Sequence, residues 1–208
     1  MLYFKTVESD TLSVLNELLA LTSLERFSLV GGTALSLLFG HRKSVDLDLF
    51  SANRFENETI LASLKNKFHS SVDIRSSTPQ FGIFCFVNKV KVDLIRHPHP
   101  LIRPIHQSDG IRMFSIEDII AMKVQAVLQR GKKKDFWDIA ELLNHFPVSD
   151  FVQFHKEKYE SQNLMITVPQ AITYFADAED DEDPISLKKQ TWKSVKQFIT
   201  DKVRDYLK

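Results

Sequence analysis

The feature that most constrains this chain is a glycine pair followed at short range by two aspartates flanking one apolar residue. Gly31-Gly32-Thr33 opens the motif, thirteen residues run from Thr33 to Val45, and Asp46-Leu47-Asp48 closes it. Asp46 to Phe50 alternates polar and apolar, as a strand with one buried face does. In such a strand Asp46 and Asp48 project together, about 6.6 Å apart along the chain, and Leu47 and Leu49 turn into a core. Two like charges so close are unfavourable unless something positive lies between them. Mg²⁺, a hard cation often held by one or two carboxylates plus substrate phosphates, meets that need.

A third carboxylate comes from Val90-Lys91-Val92-Asp93-Leu94-Ile95, where Lys91 and Asp93 share one strand face and Val92 and Leu94 the other. Asp46, Asp48 and Asp93 together would make a two-metal site, which stabilises the attacking and leaving oxygens of a phosphoryl-type displacement. At Gly31-Gly32 the bare backbone can approach a polyphosphate, with Thr33 adding a hydroxyl at a helix start. A Gly-Gly by itself is more often a plain turn, and an Asp-x-Asp is common on surfaces. Specificity lies in the order: strand, Gly-Gly, short helix, Asp-x-Asp strand, later strand aspartate.

Periodicity predicts helices from about Ser9 to Leu24, over 33–39 and over 56–68, with strands at 27–30, 46–50, 72–76, 81–87 and 90–95. Asn88-Lys89 fits a hairpin between the last two. After Pro104 the character changes. Ser115-Ile116-Glu117-Asp118 starts a helix that continues to Arg130, and further helices are expected over 135–144 and at about 149–160, 167–176 and 187–206. The expected class is α/β (α+β): a small mixed sheet with flanking helices in residues 1–104, then a mostly helical half over 105–208.

Lys and Arg number 27, as do Asp and Glu, so a globally basic nucleic-acid coat is excluded and any such contact needs a local patch. A single cysteine, Cys85, excludes an internal disulfide; flanked by Phe84 and Phe86, it reads as a buried thiol. The longest uncharged stretch, Phe27 to Gly40, is too short to span a membrane, and no apolar leader opens the chain. A soluble cytoplasmic protein is the expectation. From Lys123 to Lys134 there are five basic residues and no acid. Lys123 and Arg130, seven apart, share a helical face suited to a triphosphate or an RNA backbone; a solvated loop stays open for Lys132 and Lys133. Asp135 and Asp138 lie three apart on a helix, and an N-cap role for Asp135 stays open. For His41 and Arg42, phosphate contact and a surface turn are both open. His97-Pro98-His99 reads as an extended loop without a metal role, and Asp177 to Asp183, six acids in seven residues, as a solvated loop.

Gly31-Gly32-Thr33-Ala34-Leu35 with His41 to Phe50 closely resembles the AbiEii/AbiGii toxin family of the DNA polymerase β-like nucleotidyltransferase superfamily. Lys91-Val92-Asp93 resembles that family's second motif, and Ala121-Met122-Lys123 with Gln129-Arg130 its third. Lys134-Asp135-Phe136-Trp137-Asp138-Ile139 resembles the fourth, with Lys134 where the family usually carries Arg, so the charge survives but bidentate contact is lost. The resemblance covers residues 25–145. It implies a nucleotidyltransferase sheet in the first half and a helical region completing the active site and acceptor face. It further implies transfer of a nucleoside monophosphate from an NTP to an acceptor such as tRNA, another RNA or protein, with pyrophosphate released. A toxin role in a type IV toxin–antitoxin or abortive-infection system, with a cognate antitoxin partner, goes with it. Carried over, Asp46 and Asp48 would bind Mg²⁺ with Asp93 assisting. Ser44 would line the nucleotide site with Gly31, Gly32, Thr33 and Arg130, Lys123 would contact phosphates, and Asp135 would be a further catalytic or positioning carboxylate. Two alternatives accompany this reading: nucleotidyl transfer to a small molecule such as an aminoglycoside, and a non-catalytic nucleotide- or partner-binding domain.

Overall fold

The computed structural model describes all 208 residues. In the first half, α1 (Ser9–Leu19) precedes β1 (Ser28–Leu29), α2 (Gly31–Phe39), β2 (Leu47–Ser51) and α3 (Asn57–Phe68). Strands β3 (Val72–Thr78), β4 (Gly82–Val87) and β5 (Val90–Arg96) follow as a meander, and then β6 (His106–Ser108) and β7 (Ile111–Met113). The second half carries α4 (Ile116–Gln129), α5 (Lys133–Leu142), α6 (Val148–Lys158), α7 (Val168–Ile172) and α8 (Trp192–Tyr206).

The seven strands form one mixed sheet in the order β3-β4-β5-β2-β1-β7-β6. At its centre β2 runs parallel to β5, and their alternate residues Leu47, Leu49, Val92 and Leu94 are fully buried. Those four leucines and valines turn one way, so their neighbours Asp48 and Asp93 turn the other. The chain reverses between β4 and β5 at Asn88-Lys89, both with positive φ (48° and 67°), as a two-residue hairpin requires.

The hairpin β6–β7 falls in the half expected to be mostly helical. β7 pairs in parallel with β1 through Leu29 and Met113, so the sheet continues across residue 104. Its turn, Asp109-Gly110, has positive φ at both residues (49° and 82°). Helix α4 begins as its sequence predicts, with the Ser115 hydroxyl accepting the Asp118 N–H at 3.1 Å. The Asp118 carboxylate in turn accepts the N–H groups of Ile102 and Arg103 and the Lys158 ammonium at 2.6 Å, which clamps α4, α6 and the 100–103 loop together. Trp192, opening α8, stacks on Trp137 of α5 with ring centroids 5.7 Å apart. Further boundaries differ from expectation: α7 ends at Ile172 rather than near residue 176, and α8 begins at Trp192 rather than near residue 187. α1 ends at Leu19, five residues early, and α2 begins at the glycine pair itself, before Thr33.

Candidate active site

Asp48 and Asp93 are register partners on the parallel strands β2 and β5, so their carboxylates stand side by side on one face of the sheet. The Asp93 Oδ2 accepts from the Lys91 ammonium at 2.9 Å; its Oδ1 is buried without a hydrogen-bond partner. Burial, and then the Asp93 charge, push the Asp48 carboxyl above its ordinary range. Both residues line a cavity of about 470 Å³ between the sheet and α4.

The glycine pair makes this crowding feasible. Gly31 has φ +70°, and a Cβ there would sit 2.8 Å from the Asp48 Oδ2. A Cβ on Gly32 would collide with the Arg42 guanidinium. Thr33, expected to face phosphate, is buried: its hydroxyl lies 2.9 Å from that of Ser44 and donates to the Asp46 carbonyl oxygen. It fastens the segment before β2 to the start of α2.

Asp46 lies near enough for its charge to act on Asp48 and Lys91. It stands one residue before β2, and the alternation of half-buried and buried residues that runs from Asp46 through Phe50 includes it. Its carboxylate meets Lys134 at 3.5 Å in an adjoining cavity of about 370 Å³, shared with Ser44, Lys43 and Lys132. Of the three expected metal ligands, Asp48 and Asp93 are register partners, and Asp46, two residues before Asp48, also lies within reach of its charge. No trio of acidic, histidine or cysteine side chains stands in ligand geometry.

Behind the cavity lies a buried ionic cluster. Asp138, fully buried, accepts from Arg42 through Nε at 2.7 Å and Nη2 at 2.9 Å, and meets His41 Nε2 and the Lys123 ammonium, each at 2.7 Å. Lys123 also donates to Asp135 at 2.8 Å, and Arg130 approaches the other Asp135 oxygen at 3.4 Å. Burial alone would raise both carboxyls; Arg42 and Lys123 hold Asp138 well below its usual range, and Lys123 with Arg130 holds Asp135 below. His41 and Arg42 thus take neither expected place, phosphate contact or surface turn: they are the inner partners of Asp138. Asp135 does not cap α5, whose N-cap is Lys132; it lies one turn in, bound to Lys123. Lys123 and Arg130 both border the main cavity.

The acidic run is partly docked. Asp181 accepts the Lys133 backbone N–H at 3.0 Å, and Asp183 pairs with the Lys133 ammonium at 3.0 Å. On the far wall of the main cavity stand His97, His99, Tyr159 and Gln162. Nothing local in the sequence marks Tyr159 or Gln162 as site residues; α6 reaches the cavity only through tertiary packing. No helix is long and apolar enough to cross a membrane.

A glycine-led helix packed beside register-matched aspartates on two central strands defines this protein as a nucleotidyltransferase. Over residues 13–207 the sequence matches the family described as "Nucleotidyl transferase AbiEii toxin, Type IV TA system", and the chain belongs to that family. It is 29% identical over 207 residues to the uncharacterized protein aq_aa25 of Aquifex aeolicus (strain VF5), covering 98% of each chain. Its fold is similar to JHP933 from Helicobacter pylori (TM-score 0.59, 18% identity, 95% of this chain and 92% of that one). MenT4, a nucleotidyltransferase toxin from Mycobacterium tuberculosis H37Rv, is similar in fold as well (TM-score 0.59, 13% identity, 93% and 82%).

Proposed function

We propose that this chain is the toxin of a type IV toxin–antitoxin or abortive-infection pair, acting with Mg²⁺ in the cytoplasm. It moves a nucleoside monophosphate from an NTP to an RNA acceptor such as tRNA, releasing pyrophosphate, and a cognate antitoxin restrains it. The observation that carries the reading is the Asp48–Asp93 pair. Two carboxylates share one cavity, and the Asp93 Oδ1 is buried without a partner. That donor set, two carboxylates on one sheet face with a partnerless buried oxygen, suits Mg²⁺. Mg²⁺ held by Asp48 and Asp93 would polarise the α-phosphate and offset the charge developing on pyrophosphate. Asp46 meets Lys134 through Oδ2 alone, at 3.5 Å, and would offer the ion a third carboxylate.

The remaining roles belong to the chain itself. Gly31 leaves room for the Asp48 carboxylate, and the α2 N-terminus behind it carries partial positive charge toward the phosphates. Ser44 lines the cavity at Asp46, where Lys43, Lys132 and Lys134 stand among Asp46, Asp181, Glu182 and Asp183, and those lysines are the groups suited to the β- and γ-phosphates. Lys123 and Arg130 present charge to the main cavity, and Asp135 is a positioning residue that acts by holding both.

The test is labelling of total tRNA with each of the four α-labelled NTPs. Wild-type protein is expected to label tRNA with at least one NTP, and the Asp48→Asn/Asp93→Asn double variant to label none. Equal labelling by a folded double variant sinks the metal assignment, and absence of labelling by wild type sinks the acceptor.

A further inference from the structure

Part of the lining of the main cavity is aromatic. His97 lies 4.9 Å from His99 and 5.8 Å from Phe50, ring centroid to ring centroid, and Tyr159 stands 4.6 Å from His99 and 6.1 Å from His97. The sheet ladder runs one residue past β5, because the His97 N–H donates to the Ser51 carbonyl at 2.8 Å. Asp93, Ile95 and His97 therefore share one face, with His97 about 13 Å along the strand from Asp93. Phe50 and Ile95 form an apolar floor between them. The His97 Nε2 is buried and has no hydrogen-bond partner, an atom that costs free energy until a ligand satisfies it. Burial, and then the Lys158 charge, hold this imidazole neutral, with its pKa pushed down to about 3.

We propose that this aromatic end of the cavity seats the base of the NTP, and that His97 provides the hydrogen-bonding edge that selects which base is used. The inference rests on the transfer reading above and deepens it. Along the parallel strands Asp46 and Ser44 lie on the other side of the acid pair from His97, beside Lys134, so a nucleotide laid along β2 and β5 has its β- and γ-phosphates toward that lysine. Its reacting phosphate then lies at Asp48 and Asp93, and its base at His97. A neutral ring among aromatic neighbours accepts a flat base by stacking, and the free Nε2 distinguishes base edges that pair with it from those that do not.

The experiment is calorimetric binding of each of the four NTPs, and of inorganic triphosphate, to the full chain with Mg²⁺ and without acceptor. Wild type is expected to favour one NTP over the other three and over triphosphate. His97→Phe keeps the stack and removes the edge. It is expected to bind the favoured NTP about tenfold more weakly, to lose the preference, and to bind triphosphate unchanged. His99→Ala, at a half-buried position, is expected to weaken all four NTPs alike and serves as the variant least able to disturb folding. Wild-type-like binding of all four NTPs by both variants overturns the proposal, as does wild type that binds NTPs no better than triphosphate. Unchanged NTP binding with a raised KM for tRNA in His97→Phe also overturns it, since the aromatic wall would then hold the acceptor. Each result is read without turnover or against it, so a failed tRNA assay leaves this inference separately decided.

Discussion

The carbon atom that Gly32 lacks would stand inside the Arg42 guanidinium, which forks onto the buried carboxylate of Asp138. A residue read at first as part of a phosphate loop therefore also makes room for an ion pair that ties the 41–43 segment to α5. Removing one partner of a buried pair costs about 3–5 kcal/mol, because the remaining charge is left without compensation. Gly32→Ala displaces Arg42 and is expected to lose stability of that order, matched by Asp138→Ala. Urea unfolding midpoints of the two variants check this; a near-wild-type midpoint for Gly32→Ala would show that Arg42 has another berth.

Asp48 invites the opposite experiment. Its carboxylate is buried and stands beside Asp93, so charge there opposes folding in the absence of a cation. Asp48→Asn is expected to raise the metal-free Tm by about 2–4 °C, corresponding to about 1 kcal/mol in a chain of this size, while abolishing nucleotidyl transfer. Mg²⁺ should stabilise wild type through binding to the folded state and leave the variant unmoved. Thermal melts with and without Mg²⁺ measure both effects, and a Tm lowered by the substitution would contradict the repulsion argument.

Acid sensitivity is expected to begin with histidines. Burial pushes the His155 imidazole, bonded to Gln125 at 2.9 Å, down from 6.5 to about 4. His97 falls from 6.5 to about 3. Below pH 6.5 the unfolded chain takes up protons on these residues that the folded chain refuses, so stability falls as pH drops from 6.5 toward 4. Asp135 and Asp138 behave otherwise: their lowered pKa values keep their contribution intact above 3.8, and it is lost only as pH falls through the folded values. Urea midpoints at pH 7 and pH 5 should differ for wild type and differ less for His155→Gln. Equal midpoints for wild type at the two pH values would refute the assignment.

Strand parity made Asp48 and Asp93 legible as one pair, and left Asp46 at the strand's margin. The period-two rule set the face of each carboxylate, but the Lys134 contact of Asp46 comes from α5 and has no local signal. The β6–β7 hairpin was readable in principle, since Asp109-Gly110 is a strong two-residue turn signal, but strands of three residues carry too little pattern to stand out beside the helices that follow. For His41 and Arg42 the local sequence offers charge without context. Their partner Asp138 lies 97 and 96 residues further on, and only packing of α2 against α5 buries all three.

By itself the sequence determined the chemistry available: a glycine pair, aspartates at strand spacing, a basic stretch, and the motif order that marks the family. Those are local properties, set by side-chain type and by the periods of helix and strand. Tertiary structure decided which charges meet. It joined Asp48 to Asp93 through the β2–β5 register, drew Asp46 to Lys134, and enclosed Lys123 between Asp135 and Asp138. Coulomb energy depends on separation and burial, and neither is written in a linear order of residues.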